Sequence, residues 1–318
     1  MESLGEVLRS IPNQKYRRQA EEKIRQILTD PLIQKLRVKY PVLDDHTLKI
    51  NMNRLYQYVS EHKTCSECPG LDKCPNDFAG HYTMLNVETS GGEPRLYDYK
   101  VSCKKFIAQQ SQEVVRSRIR SFYVDERALS QGYSSMEIFD KDPDREEAVD
   151  RLISYILQTK QEGLQKQGLY LAGSFGTGKT FLMCYMLHEL AKSGYTGAIV
   201  YMPDFAEDLK AMFQDPMKLK ETIDALKETD LLVFDDIGAE NLNPWLRDHV
   251  MGAILNYRMN RKPTFFTSNH DLTALEQHFS FTSKEGDEEF KGRRIMDRIR
   301  PFVDVILVNG YNKRGKST

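Results

Sequence analysis

The chain has 318 residues, of which 40% are hydrophobic and 29% charged, and its formal net charge is -1. This is the composition of an ordinary globular protein of one or two domains; it excludes a disordered polyelectrolyte and a generic polycation that would coat duplex nucleic acid. No apolar run reaches the roughly 18 residues of a membrane span, and MESLGEVLRS lacks an apolar signal core, so a cytoplasmic protein with no membrane partner is expected.

Residues 1 to about 62 read as helices. Asp30-Pro31 offers an N-cap followed by a first-turn proline. Asp44 and Asp45 precede Leu48, Met52, Leu55, Tyr56 and Val59, which recur at helical spacing.

Next comes a cysteine-rich stretch. Cys65, Cys68 and Cys74 fall within ten residues, and Cys103 follows some thirty residues on. In a reducing compartment clustered thiols point to metal before disulfides. Cys-x2-Cys forms a knuckle that supplies two ligands of a tetrahedral Zn²⁺, with the other thiolates closing the site; His81 is the alternative to Cys74. A fully ligated site would be structural, since no position is left for water. Unligated thiols are the competing reading. Cys184, far from this group, reads as a core residue.

Gly91-Gly92 is expected to turn a hairpin, and residues 104 to 127 to form a basic helix. Tyr99, Lys100, Lys104, Lys105, Phe106, Arg116, Arg118, Arg120, Phe122 and Tyr123 mix rings with positive charge, as single-strand binders do, although such a helix is more often solvated. Residues 128–142 read as a linker, with Asp142-Pro143 opening a new helix.

From residue 168 short apolar runs alternate with helical stretches. GLYLAG, AIVYMP, LLVFDD, TFFTSN and FVDVILV are the strand candidates. The pattern predicts an α/β fold, a parallel sheet with helices on both faces that binds ligands at the carboxyl ends of its strands. Gly173-Ser174-Phe175-Gly176-Thr177-Gly178-Lys179-Thr180 fits G-x-x-x-x-G-K-T after a strand and before a helix. Its backbone N–H groups would cradle phosphate, Lys179 would reach the β/γ-phosphates and Thr180 would ligate Mg²⁺. Asp235, ending LLVFDD, would hold the Mg²⁺ shell. Asp236 would orient or deprotonate the attacking water, with a helix N-cap as the alternative reading; Glu240 is a weaker candidate for that task. An Asp in place of the more frequent Glu suggests slow unaided hydrolysis. Asn269, ending TFFTSN, can bond the γ-phosphate or the water, or simply form an Asx turn.

GRRIMDRIRP carries Arg293, Arg294, Arg298 and Arg300. Together with the loop, the aspartates and Asn269, it resembles the AAA+ ATPases over roughly residues 165 to 310. The resemblance implies that Arg298 is an arginine finger meeting the γ-phosphate of a neighbouring subunit, with Arg294 beside it in phosphate sensing; Arg293 and Arg300 are left to solvent or DNA. Only about ten residues follow the last strand, so the helical lid of many such ATPases is expected to be missing. No N-K-x-D segment supports guanine.

A lidless core behind a cysteine module resembles the primosomal helicase loaders, the DnaI-type members of the DnaC/IstB branch. LYLAGSFGTGKTFL, LLVFDDIGAENLNPWLRDHVMGAILNYRM, TFFTSN, GRRIMDRI and CSECPGLDKC carry the likeness. It implies a helical, zinc-binding N-terminal domain (1–130) that grips the replicative hexameric helicase, a linker (131–145) and an ATPase domain (146–318). The last would bind ATP, Mg²⁺ and single-stranded DNA, self-associate, and help place the helicase ring on DNA. A transposase-helper ATPase, a small-molecule P-loop kinase and a non-hydrolysing scaffold are the rival readings.

Overall fold

The computed structural model describes residues 14–89, 94–122, 143–282 and 286–312. The expected Gly91-Gly92 turn, Tyr123, the 128–142 linker and Asp142 lie outside them. Contacts divide the chain into two units, residues 1–112 and 113–318.

The first unit begins with helices α1 (Gln14–Leu28), α2 (Pro31–Lys39), α3 (Asp45–Ile50) and α4 (Met52–Ser66). Two of their starts obey the capping rule read from sequence. Asp30 accepts from Leu32 N at 3.0 Å with Pro31 in the first turn, and Asp44 accepts from Thr47 N at 2.7 Å. Strands β1 (His81–Glu88) and β2 (Arg95–Ser102) pair antiparallel. Ile33, Leu48, Leu55, Leu85 and Leu96 bury a small common core. Inside it Glu61 bonds Thr83 N and Lys100 Nζ, both at 2.5 Å. Helix α5 (Lys104–Ser117) comes next.

The second unit opens on a correction. The basic helix expected to reach residue 127 ends at Ser117, and Ile119–Phe122 forms strand β3, which runs parallel to β5 (Gly197–Tyr201). Ile119 and Phe122 pack against the cores on the two faces of the sheet, a period-two pattern hidden between arginines. After Pro143–Arg145 come helix α6 (Glu146–Glu162), strand β4 (Gly168–Ala172) and helix α7 (Lys179–Lys192). Beyond β5 lie α8 (Met202–Ala211), α9 (Pro216–Glu228), β6 (Leu231–Asp235), a π-helical turn (Leu246–Met251) and α10 (Gly252–Arg258). The chain continues through β7 (Thr264–Ser268), α11 (Leu272–Ser280), a short hairpin of β8 (Phe281–Thr282) with β9 (Gly286–Asp287), α12 (Glu289–Met296) and β10 (Val303–Leu307).

Six of these strands make one parallel sheet in the order β10-β4-β7-β6-β5-β3. Every residue of β4 and β6 is buried, as strands covered on both faces must be. Phe234, Phe266 and Leu255 belong to the core on one face, and Leu171, Val233 and Leu187 to the core on the other. Arg258 is fully buried and donates to the carbonyls of Leu226, Lys227, Thr229 and Asp230, closing the end of α9; burial pushes its pKa down to about 10. The order matters for chemistry. Because β4, β7 and β6 are neighbours, the loop leaving β4 and the carboxyl ends of β6 and β7 converge at one edge.

Candidate active site

The loop after β4 turns through Gly176 (φ 74°) and Gly178 (φ 93°), left-handed positions that favour glycine. Thr177, almost wholly buried, ties the turn by donating to Ser174 O at 3.0 Å, and Phe175 stands out in solvent. Lys179 begins α7. Its ammonium lies 2.8 Å from Gly173 O, 2.9 Å from Ser174 O and 2.9 Å from Asn269 Oδ1. The lysine thus sits where the loop, the helix N-terminus and the end of β7 meet.

Asp235 is the last residue of β6 and is buried. Thr180 Oγ1 stands 2.9 Å from its Oδ1 and 3.1 Å from its Oδ2, so the hydroxyl and carboxylate oxygens expected to share a magnesium ion are side by side. Burial raises the Asp235 pKa above the usual carboxylate range, and the Thr267 and Thr180 hydroxyls oppose that rise only in part. Asp236 takes a left-handed conformation at φ 56°, uncommon outside glycine but best tolerated by Asp and Asn. Asn269 Nδ2 donates to Asp236 Oδ1 at 3.0 Å, so one amide spans Lys179 and Asp236, the amide orientation following from these partners. Asp236 caps no described helix, and Asp271, not Asn269, caps α11. The simpler readings of both residues are therefore set aside.

Glu240, the weaker candidate for the water-activating task, is engaged elsewhere. It is buried, accepts from Gly238 N at 2.7 Å and faces His278 Nε2 at 2.9 Å.

Sequence reasoning missed Thr267, whose hydroxyl donates to Asp235 Oδ1 at 2.6 Å and accepts from Asp236 N at 2.9 Å. Its signal was present: a β-branched hydroxyl two residues before Asn269 on the strand next to the acids. It also missed Arg145 and Asn312. A Cβ added at Gly178 would stand 2.8 Å from Arg145 Nη1, and one at Gly176 would overlap the Asn312 side chain.

The four arginines of GRRIMDRIRP separate by partner. Arg293 pairs with Glu289 at 2.6 Å and Arg300 with Glu276 at 2.8 Å; both remain exposed, so they meet carboxylates of their own fold as well as the solvent expected for them. Arg294 is exposed and Arg298 half-buried, and neither has a carboxylate partner among the described residues. Arg298 donates instead to Arg294 O. Its pKa is lowered by burial and by the Arg294 charge. Both side chains line a hollow of about 290 Å³ together with Asp248, His249 and Asn256.

Comparison with known proteins places this geometry. The chain is 32% identical over 317 residues to the replicative helicase loader DnaI of Bacillus subtilis, covering 99% of each. The model described as "Primosomal protein DnaI N-terminus" matches residues 1–91, and that described as "IstB-like ATP binding protein" matches 137–318. The chain belongs to the DnaI family of helicase loaders. A crystal structure of DnaI superposes with a TM-score of 0.51 at 32% identity, covering 64% of this chain and all of that one. An insertion-sequence ATP-binding protein of Pseudomonas fluorescens is 27% identical over 136 residues, 43% of this chain and 58% of its own length. The parallel sheet and its loop are thus an AAA+, IstB-like ATPase domain behind a largely helical N-terminal region, as the sequence implied.

The cysteine module departs from expectation. Among the described residues no group of three or more His, Cys, Asp or Glu side chains is gathered to hold a metal ion. The sulfurs are satisfied one at a time. Gly80 N lies 3.4 Å from Cys74 Sγ, Phe106 N 3.4 Å from Cys103 Sγ and Asn76 Nδ2 3.5 Å from Cys65 Sγ. The Cys68 thiol pKa is lowered by a backbone bond from Gly70, with Lys105 adding to it. His81 is engaged elsewhere: Nε2 with Ser102 Oγ and Nδ1 with Ala79 O, both at 3.1 Å. The sulfurs are thus not drawn to one point in this structure. Cys184 is fully buried, which pushes its thiol up to about 12, and it is a core residue as expected. Several residues of the ring-and-charge stretch are also committed, Lys100 to Glu61 and Arg118 to Ala191 O.

Among the described residues no helix is long and apolar enough to cross a membrane.

Proposed function

We propose that this protein loads the replicative hexameric DNA helicase onto single-stranded DNA in an ATP-dependent step of primosome assembly. The observation that carries the reading is the full-length likeness to a replicative helicase loader, with the N-terminal and ATPase family matches together on one chain. A transposase helper shares only the second of these. In this reading the N-terminal region binds the helicase, and the second unit binds ATP, single-stranded DNA and its own copies.

The site residues take these roles. Backbone N–H groups of 173–180 hold the phosphates, and Lys179 turns from the loop carbonyls to the β/γ-phosphates. Thr180 and Asp235 would hold Mg²⁺, whose charge would offset that of the transferred phosphate. Asp236 orients the attacking water and takes its proton, with Asn269 fixing the carboxylate. Arg298, with Arg294, comes from a second copy and meets the charge that develops on the γ-phosphate. Hydrolysis by an isolated chain is accordingly slow. Zinc belongs to this reading on residue type and spacing alone: Cys65, Cys68, Cys74 and Cys103 are soft sulfur donors of the kind a structural zinc ion takes. Protein purified without chelators and holding no zinc by elemental analysis would end that part of the reading.

The deciding experiment is native mass spectrometry of this chain with the helicase hexamer of its own organism, with and without ATP and Mg²⁺. Discrete complexes that vanish on deletion of residues 1–112 support the loader. No complex at micromolar concentration under any nucleotide leaves the ATPase domain and moves the transposase-helper reading forward.

A further inference from the structure

Arg247, like Arg258, is an arginine wholly removed from solvent, and it lies outside the nucleotide site. It stands on the π-helical turn, in the segment that leaves Asp235 and Asp236. Its guanidinium meets Asp248 through two bonds, Nε to Oδ1 at 2.9 Å and Nη2 to Oδ2 at 3.1 Å. Nη2 also donates to Glu288 Oε2 at 2.9 Å, and Nη1 to Phe279 O at 3.2 Å. Phe279 lies in the last turn of α11 and Glu288 immediately precedes α12. One buried cation therefore fastens both ends of the 280–288 segment to the turn.

Helix α12, which leaves that segment, carries Arg294, and Arg298 stands one turn later. Asp248 shares the hollow with both arginines. A carboxylate there is the natural partner for either guanidinium, and two oppositely charged groups in a half-buried hollow attract strongly. They are nevertheless not paired. Asp248 is held by Arg247, with Lys291 Nζ a further 3.7 Å away, and Arg298 Nε is buried without a hydrogen-bond partner. By contrast the neighbouring Arg293 and Arg300 are both taken by carboxylates.

We infer that Arg247 is the positioning residue for the arginine pair: by occupying Asp248 it keeps Arg294 and Arg298 available to the triphosphate bound by a second copy of the chain. The inference rests on the proposed role of Arg298 between subunits and adds what keeps that arginine from folding back onto its own chain. Asp248 is then the latent competitor. Removing it relieves the need for Arg247, which no merely structural role of the buried arginine would predict.

The test is complementation between full-length chains. Asp236→Asn donors keep their arginines but cannot hydrolyse, and Arg298→Ala recipients keep their own acids but lack the finger. Neither turns over ATP alone, and the mixture should. Adding Arg247→Met to the donor should cut the mixture's turnover at least about tenfold, within the range an arginine finger commands. Adding Asp248→Asn to that donor should bring it back. Asp248→Asn alone, a change at a partly exposed site, should leave complementation at or above the starting level, and it decides the matter if Arg247→Met donors fail to bind nucleotide. Unchanged turnover with Arg247→Met, or a loss with Asp248→Asn alone, overturns the inference. So does a double variant that binds nucleotide but stays silent. A silent mixture of the two starting variants refutes the intersubunit role of Arg298 itself, and the inference falls with it.

Discussion

Thr267 Oγ1 lies 2.6 Å from Asp235 Oδ1 and 2.9 Å from the Asp236 amide nitrogen, so a single hydroxyl on β7 holds the last carboxylate of β6 and the backbone of the acid that follows it. It donates to the first and accepts from the backbone of the second, and it is buried with Asp235. Thr267→Val keeps the shape and removes both bonds. It should cost about 1–3 kcal/mol of stability, since Asp235 and the Asp236 amide lose a partner. ATP turnover should fall roughly 10- to 100-fold, as losing the residue that orients a metal ligand commonly does. Nucleotide affinity at neutral pH should change less than turnover, because Thr267 holds the acids rather than the phosphate loop. Turnover equal to that of the unmodified chain would remove Thr267 from the site.

The left-handed backbone at Asp236 explains why a shorter acid stands there. At φ 56° a β-carboxylate is tolerated better than a longer side chain, and Asn269 is placed to bond it. Asp236→Asn should fold normally, bind nucleotide and fail to hydrolyse it. Asp236→Glu should lose about 1 kcal/mol in urea unfolding and hydrolyse no faster, despite its longer reach. A Glu variant faster than the native chain would show that reach, not backbone conformation, limits the reaction.

Parts of this site were legible in the sequence because they are local. The loop 173–180 is one continuous motif, and Asp235 and Asn269 end apolar runs whose length alone predicts strands. Strand β3 was not legible: four residues that follow Arg118 and include Arg120 carry too little period-two signal to outweigh the helix that precedes them. Nor was the division among the four arginines. Their partners Glu276 and Glu289 lie on another element or another turn, and only packing decides which guanidinium is left without a carboxylate. The cysteine spacing suggested a metal site, yet spacing says nothing of how far apart the sulfurs are held.

Asp235 also sets a pH dependence. Burial raises its pKa above the ordinary value of about 3.9, so it gains a proton earlier than a free carboxylate as pH falls. Protons and Mg²⁺ compete for it, so the magnesium-dependent part of ATP affinity should weaken as pH drops through that raised value. Thr267→Val removes a hydrogen bond that favours the ionised form and should move the loss to higher pH. For folding the sign is opposite to that of a paired acid. Between the unfolded and folded values the native state holds more protons, so this group's contribution falls as pH rises. Asp235→Asn should therefore stabilise the nucleotide-free protein at pH 7 while abolishing turnover. A destabilised Asn variant would contradict this account of the burial.

Glu61 in the N-terminal unit has the reverse sign. Burial opposes its ionisation, but the Lys100 ammonium and the Thr83 N–H outweigh it, and its pKa is lowered. A lowered carboxylate stabilises the fold fully above its unfolded value of about 4.3, and that contribution is lost as pH falls through the folded value. Glu61→Gln keeps the shape and leaves Lys100, itself mostly buried, without its partner. At pH 7 the variant should be about 2 kcal/mol less stable, the range of a hydrogen bond to a charged group. Urea unfolding of the full chain at pH 7 and again near pH 3 separates the ionic contribution from packing. The gap between native and variant should narrow at the lower pH, because the native Glu61 is then losing its charge as well. An equal gap at both would mean that Glu61 holds α4 to the hairpin by shape and neutral hydrogen bonds, and that its charge contributes nothing.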